Sequence, residues 1–160
     1  MRLDVQTKTE AETRLRHGLV GQAFAGGRWV GTPIIELTNG YSLSIESSWC
    51  YYDAASSPEP IDTWEKASIP PVEDLMLRAC QLRHTTIHEI SLGQRIANLL
   101  LTFATGEQFA IFGNDPLYEC WSMNHYAEET GPSYSVYNLP GGGITYMEIG
   151  TSGNDQSSAG

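Results

Sequence analysis

The stretch that decides the fold, residues 34–45, reads IIELTNGYSLSI, and a second stretch, residues 100–111, reads LLTFATGEQFAI. The two align without gaps, with an apolar run, a glycine in register at Gly40 and Gly106, and a second run that alternates. Asn39-Gly40 is the strongest short hairpin signal, because both residues of a two-residue turn must accept positive φ. The sequence therefore predicts two related β-hairpins with two-residue turns at the centre of the fold.

Aromatic residues follow each predicted hairpin, at 49–52 and at 118–121. Aromatic and β-branched residues are enriched in strands, so each hairpin is predicted to continue into a three-stranded meander. Two later runs, 133–139 and 144–149, flank Pro140-Gly141-Gly142-Gly143, a combination typical of strands joined by a turn. These runs are predicted to close the sheet.

Helical signals lie ahead of and between the halves. Residues 72–83 carry apolar side chains at helical spacing behind Pro70-Pro71, with two acids in the first turn. Thr9 followed three residues later by Glu12 is a capping box, which predicts a short helix from about residue 10 to 17. The predicted fold class is α+β, mostly antiparallel β, with two related β-meanders joined by one helix and a short N-terminal helix.

The predicted organisation has three parts. Residues 1–16 form an N-terminal helical segment, residues 17–149 a single duplicated β-rich domain, and residues 150–160 a disordered tail with nothing apolar to bury. A chain of 160 residues is long enough to bury a sizeable core without a disulfide or a metal. Residues 54–69, rich in Ser, Pro and acids, are predicted to form a long surface loop.

Cysteine usage and hydropathy predict a cytoplasmic protein. The N-terminal sequence lacks the apolar core of a secretory signal, and no stretch approaches the ~18 apolar residues that a membrane span needs. Cys50, Cys80 and Cys120 are an odd number of cysteines far apart in sequence. We therefore expect reduced, buried thiols and neither a disulfide framework nor a zinc knuckle.

The charge is −10, and it is unevenly distributed. All nine Lys and Arg lie at or before Arg95, and the chain beyond it carries seven acids and no Lys or Arg. Such a surface repels phosphate backbones and anionic membranes, so neither nucleic acid nor a membrane is predicted as a partner. It favours a basic protein partner, although acidity that serves only solubility explains the charge equally well.

Three motifs together resemble an uncharacterised family of small bacterial β-rich proteins: LxFxxGxxFxI at 101–111, YExW at 118–121 and PGGG at 140–143. The resemblance covers residues 17–148, with Thr105 where an acidic turn residue is more usual and with a longer loop at 54–69. The family has no established active site, so the resemblance implies no catalytic residue. Some similar small acidic proteins are immunity proteins beside secreted bacterial toxins, which implies by analogy a toxin-binding role.

Residue patterns that could carry chemistry are each better explained structurally. His84 and His88 are four apart, but the intervening Thr-Thr-Ile favours a strand, where the two imidazoles cannot share a metal. Cys120 with His125 is the best thiol and base pair, yet the acid beside the thiol opposes thiolate formation. The glycines at 141–143 have no following helix or basic residue to complete a phosphate site. No catalytic residue, metal site or cofactor is predicted.

Aromatic side chains on loops, flanked by acids, are the predicted partner-binding surface. Such side chains supply rigid binding area, while the acids steer a basic protein towards it. The predicted site residues are Asp62, Trp64, Glu65, Tyr126, Glu128 and Glu129.

Three functional hypotheses follow. The first is a non-catalytic immunity protein that occludes a basic toxin domain. The second is a subunit of a homodimer or larger homo-oligomer, in which the aromatic strands meet their own copies. The third is a small-molecule binder or minor hydrolase with its binding site between two sheets.

Overall fold

The structure, a computed structural model, describes residues 5–56, 62, 68–125 and 133–149. Within those ranges the chain forms two helices, α1 (Val5–Leu19) and α2 (Val72–Leu82). The strands found there are β1 (Phe24–Trp29), β2 (Pro33–Leu37), β3 (Ser42–Ile45), β4 (Trp49–Tyr52), β5 (Ile87–Leu92), β6 (Leu99–Phe103), β7 (Gln108–Ile111), β8 (Trp121–His125), β9 (Ser133–Leu139) and β10 (Gly143–Ile149). Neither of these helices is long and apolar enough to cross a lipid bilayer.

The strands form two antiparallel sheets. The larger, sheet A, has the order β1-β2-β3-β8-β9-β10, and the smaller, sheet B, has the order β4-β7-β6-β5. The predicted α+β class, dominated by antiparallel sheet and preceded by an N-terminal helix, is confirmed.

Both predicted hairpins are present, as β2–β3 and β6–β7, and their turns share one geometry. Gly40 donates its N–H to the carbonyl of Leu37 at 3.1 Å, and Gly106 donates to Phe103 at 2.9 Å. Each turn is closed by a hydrogen bond of 2.8 Å, from the Leu37 N–H to the Tyr41 carbonyl in the first hairpin and from the Phe103 N–H to the Glu107 carbonyl in the second. The loops therefore have three residues where two were predicted, with the left-handed conformation supplied by the glycine, at φ 87° in both.

The strand that follows each hairpin pairs with the other half of the chain. β4 pairs with β7, where Trp49 lies opposite Ile111, and β8 pairs with β3, where Trp121 lies opposite Ile45. Each meander takes its third strand from before its hairpin, β1 in one half and β5 in the other. The prediction that the aromatic segments extend their own meanders is therefore wrong, since the two halves exchange their fourth strands.

The internal repeat extends beyond the hairpins. A helix precedes each meander, and each first strand carries a bulge at its start, between Phe24 and Gly26 in β1 and between Ile87 and Glu89 in β5. The repeat unit is thus a helix, three meander strands and one exchanged strand. The helix α2, predicted as a connector, opens the second unit as α1 opens the first.

One core joins both helices to both sheets. It contains Ala11, Leu15 and Leu19 of α1 and Leu75, Ala79 and Leu82 of α2. Phe24 of sheet A meets Phe103 of sheet B edge to face at 5.4 Å. Burial of apolar area from both sheets in one cluster provides the main driving force for folding of these elements together.

Two fully buried asparagines fix the connections at one end of the sheets. Asn138 accepts the N–H of Cys120 at 2.9 Å and donates to the carbonyls of Gly113 and Gly143, both at 3.0 Å. Asn98 accepts the N–H of Gly113 at 2.8 Å. Because buried backbone groups need partners, these amides determine where the segment between β7 and β8 can run.

Several boundaries differ from prediction. The first helix spans Val5–Leu19, so it crosses the predicted boundary at residue 16 and holds Thr9 in its interior. The Thr9 hydroxyl donates to the Val5 carbonyl at 2.8 Å, which replaces the predicted capping role. The helix at 72–82 and the strands β9 and β10 are confirmed. The predicted tail, 150–160, lies outside the described residues.

Candidate functional site

Of the six predicted partner-binding residues, the structure describes Asp62. Trp64, Glu65, Tyr126, Glu128 and Glu129 lie outside the described residues. Asp62 is half-buried, and its Oδ1 accepts the backbone N–H of Arg95 at 3.0 Å. A Cβ placed on Gly93 would lie 2.6 Å from the same oxygen. The Asp62 carboxylate therefore holds the turn ahead of β6.

A cleft of about 350 Å³ lies where the two exchanged strands leave their hairpins. Two connecting segments form its walls: residues 46–48 between β3 and β4, and residues 112–120 between β7 and β8. We call them the β3–β4 crossover and the β7–β8 crossover. Ile69, which precedes α2, completes the wall. The lining residues are Glu46, Ser47, Ser48, Ile69, Phe112, Asn114, Asp115, Tyr118, Glu119 and Cys120. A second cleft of about 280 Å³ shares Glu46, Ser47 and Ile69 with it, so the two form one continuous groove.

The two crossovers are hydrogen-bonded to each other. Glu46 donates its N–H to the Cys120 carbonyl at 2.8 Å, and Phe112 donates to the Ser48 carbonyl at 3.0 Å. The Ser47 hydroxyl donates to the Phe112 carbonyl at 2.6 Å. The floor of the cleft is therefore held in place by hydrogen bonds. The Ser47 hydroxyl donates to a backbone carbonyl, whereas a serine nucleophile would need a general base as its partner.

Carboxylates and exposed apolar side chains lie together at this cleft and on the adjoining turn. We call the set the crossover patch, and it consists of Glu46, Ile69, Asp115, Leu117, Tyr118 and Glu119. Ile69, Leu117 and Tyr118 are exposed to 61%, 72% and 69%. None of the described lining residues of the cleft is Lys, Arg or His. The patch therefore combines exposed apolar contact area with three carboxylates, those of Glu46, Asp115 and Glu119.

Local turn chemistry explains why Leu117 and Tyr118 point outward. The Asp115 Oδ1 accepts the N–H groups of Leu117 at 2.8 Å and of Tyr118 at 3.1 Å. A side chain that caps the backbone two and three residues ahead stabilises a turn, and Pro116 favours the same geometry. Tyr118 and Glu119 were predicted to begin a strand, but the strand begins at Trp121. The Asp115-Pro116 dipeptide was the sequence signal for this exposed turn.

Thiol and imidazole groups are dispersed among the described residues. Cys120 is buried, Cys50 is half-buried and Cys80 is exposed, and none of the three is in a disulfide. The prediction of buried thiols is thus confirmed for Cys120 and wrong for Cys80, whose sulfur accepts a hydrogen bond from Arg83 Nη1 at 3.1 Å. Cys120 and His125 are five residues apart along an extended segment, about 16 Å, which is too far for proton transfer.

The strand predicted between the two histidines is present only at its end, since β5 begins at Ile87. His84 lies in the turn after α2 and His88 lies on β5, and both are exposed. Across the part of the chain that the structure describes, no group of three or more His, Cys, Asp or Glu side chains is placed to hold a metal ion.

Among the residues that the structure describes, two tyrosines have a perturbed pKa, and neither lies in the crossover patch. The Tyr51 hydroxyl donates to Glu107 Oε2 at 2.6 Å, and this bond raises the pKa of Tyr51, opposed by Arg78, whose guanidinium carbon lies 3.6 Å from the centre of the ring. Burial raises the pKa of Tyr41. Both shifts favour the neutral phenol at ordinary pH.

Comparison with protein-family models, curated proteins and solved structures gives no match to this chain.

Proposed function

We propose that this chain is a non-catalytic binding module for a basic protein, specifically a cytoplasmic immunity protein that occludes a bacterial toxin domain. The observation that carries the proposal is the crossover patch, where three carboxylates border three exposed apolar side chains. Aromatic anchors provide contact energy at protein interfaces, and charged neighbours speed association with a partner of opposite charge.

The overall charge supports a cationic partner. The chain carries −10, and the patch residues Asp115 and Glu119 belong to the part of the sequence beyond Arg95 that holds no Lys or Arg. A field of one sign accelerates encounter with the opposite sign, and salt weakens that acceleration. A basic partner would therefore arrive faster at low ionic strength.

The rigidity of the patch supports binding without rearrangement. The crossovers bond each other through Glu46 and Phe112, and the buried amide of Asn138 holds the β7–β8 crossover through Cys120 and Gly113. A preorganised surface loses little conformational entropy on association. The patch is thus suited to a partner that docks against a fixed surface.

The homodimer is the weaker alternative for this surface. A two-fold contact through the crossover patch would place the carboxylates of one copy against those of the other, which is repulsive. Mass measurement in solution separates the two: we expect a monomer at the concentrations at which the basic partner binds. A stable dimer that is broken by Tyr118→Ala would contradict the proposal.

The direct test needs a basic toxin domain as partner, to be sought first in the reading frames next to the gene for this chain. Association is followed by stopped-flow tryptophan fluorescence at low and high salt, with Tyr118→Ala, Glu119→Gln and the control Glu10→Gln. We expect Tyr118→Ala to speed dissociation by about tenfold or more, the effect of a lost aromatic anchor. Glu119→Gln should slow association and reduce its dependence on salt.

The control Glu10→Gln removes one exposed carboxylate from α1, a helix that contacts β5, β9 and β10. It changes net charge by the same amount as Glu119→Gln. Equal effects of the two variants would show that net charge alone governs binding. An association rate that does not change with ionic strength would refute electrostatic steering.

A further inference from the structure

A separate cleft of about 260 Å³ lies between the C-terminal half of α1 and sheet A. Its lining residues are Thr13, Arg14, His17, Tyr41, Met123 and Tyr134. The helix approaches the sheet closely here, because a Cβ on Gly18 would lie 2.6 Å from the Met123 sulfur and 2.8 Å from a Tyr41 ring carbon. The cleft therefore has a buried apolar base and walls from two different elements.

Four aromatic rings form a continuous row, and three of them, those of His17, Tyr41 and Tyr134, line the cleft. Tyr41 stacks on His125 at 4.5 Å with an interplanar angle of 28°, and His17 meets the edge of Tyr41 at 6.4 Å. His125 lies 6.3 Å from the ring of Tyr134. Flat rings at these spacings offer faces and edges that another aromatic ring can contact favourably.

A fixed cation lies beside the rings. The Arg14 guanidinium carbon is 4.5 Å from the centre of the Tyr146 ring, and Nη1 lies 3.2 Å from Glu148 Oε2. Arg14 lines the cleft, whereas Glu148 is not among the described lining residues and its side chain is 45% exposed. The guanidinium thus has one carboxylate partner at the surface, and the Arg14 side chain forms part of the cleft wall.

Two buried nitrogen atoms beside the cleft have no hydrogen-bond partner within the described structure: Arg14 Nε and His125 Nδ1. The Nε of arginine is always a donor, so it calls for an acceptor. Buried donors without partners are rare in folded proteins. The Arg14 guanidinium therefore has hydrogen-bonding capacity that its pair with Glu148 does not use.

We propose that this cleft binds a small aromatic carboxylate. The ring of the ligand packs among the imidazole and phenol rings, and its carboxylate pairs with Arg14, for which a planar, bidentate anion is the best match. The volume exceeds the ~150 Å³ that admits benzene and approaches the ~300 Å³ at which ordinary ligand sites begin. One or two fused rings therefore fit. The inference is independent of the crossover patch.

The proposal makes Glu148 a competitor. Its carboxylate occupies part of the Arg14 guanidinium, so ligand binding requires the two carboxylates to share or exchange that partner. Removal of the Glu148 charge should therefore strengthen binding, whereas a purely structural role of the Arg14–Glu148 pair predicts no gain.

The test uses benzoate and 2-naphthoate as probes, titrated into the full chain by calorimetry. Benzamide has the ring without the charge, and acetate has the charge without the ring. We expect both aryl carboxylates to bind saturably, and each control compound to bind at least about tenfold more weakly. The proposal would be overturned if neither benzoate nor 2-naphthoate bound saturably. Equal affinities of benzoate and benzamide would overturn it as well.

Variants locate the binding. We expect Arg14→Gln and His17→Ala to weaken 2-naphthoate binding by about tenfold, and Glu148→Gln to strengthen it several-fold. The matched control is Arg16→Gln, since Arg16 is on the same helix, pairs with Glu12 and does not line the cleft. An Arg16→Gln effect as large as that of Arg14→Gln would refute the site. If the Arg14→Gln variant does not fold, the variants at the exposed positions 17 and 148 provide the test. An affinity for 2-naphthoate that is unchanged in both His17→Ala and Glu148→Gln would refute the site.

Discussion

Replacement of Asn138 by alanine tests the account of how the crossovers are held. The side-chain amide is fully buried and makes three hydrogen bonds, with the Cys120 N–H and with the Gly113 and Gly143 carbonyls. In the Asn138→Ala variant all three backbone groups lose these bonds inside the protein. The change removes little apolar area, so the effect on stability reports the hydrogen bonds.

The expected magnitude follows from the number of groups left without partners. A buried donor or acceptor that loses its partner costs about 1–3 kcal/mol, so three such groups set an upper range of roughly 3–9 kcal/mol. Water that enters the space vacated by the amide restores part of the bonding, and we expect a net loss of about 3–5 kcal/mol. This is a large share of the roughly 5–15 kcal/mol by which domains are stable.

The assay is equilibrium urea unfolding followed by tryptophan fluorescence, with an unchanged slope as evidence that the unfolded state is the same. Asn124→Ala is the matched control, because Asn124 is half-buried and bonds two serine hydroxyls, Ser122 and Ser135, both at 2.8 Å. The control should cost less than about 1 kcal/mol. A loss for Asn138→Ala no larger than that of the control would refute the reasoning.

Three further predictions concern the hairpin turns, the bond between Tyr51 and Glu107, and the contact of α1 with sheet A. Gly40→Ala and Gly106→Ala should each lower the free energy of unfolding by about 1–2 kcal/mol, since both glycines have φ 87°, and clearly unequal losses in urea unfolding would contradict a shared turn geometry. Stability should fall as pH rises above about 10, because the bond to Glu107 raises the pKa of Tyr51 and the folded state holds the neutral phenol; Tyr51→Phe should flatten this decline in unfolding curves measured across that range. Gly18→Ala should lower the melting temperature despite a gain of about 1 kcal/mol in helix propensity, because the new Cβ meets Met123 and Tyr41, and a rise would show that the contact relaxes freely.

Local patterns in the sequence were sufficient for the elements that depend on near neighbours. The hairpins around Gly40 and Gly106, the helix at 72–82 and the turn at 140–142 all arise from residues that interact within a few positions. Turn chemistry and periodicity act over that same range. The extra residue in each hairpin loop was missed because Asn-Gly and Thr-Gly also fit a two-residue turn.

The pairing of β4 and β8 was beyond the reach of the sequence. Alternation of side chains states which face of a strand is buried, but it does not state which strand lies alongside. The segments that contain Trp49 and Trp121 have sequences that suit a strand in either sheet. β1 was missed because its two glycines weaken strand propensity, and one of them, Gly27, lies against Met76 of α2.

The crossover patch could be predicted only in kind. Exposed aromatic side chains with acidic neighbours were expected, but the predicted residues differ from those in the patch. Tyr118 was assigned to a strand because aromatic residues favour strands, whereas the carboxylate of Asp115 holds the backbone in a turn. The cleft near Arg14 depends on residues from α1, β8 and β9, which no local pattern brings together.

The exchange of fourth strands has a consequence for the ancestry and assembly of this fold. In a chain with only one repeat, the fourth strand would not pair with the three meander strands that precede it. The last meander strand would then be an unpaired edge of the sheet. Two such chains would complete one another by trading their last strands, as in a domain-swapped dimer. Apart from β9 and β10, which extend sheet A, the present chain has the form of that dimer fused into one polypeptide. Cleavage between residues 56 and 68 should therefore give two fragments that are unfolded apart and regain structure when mixed.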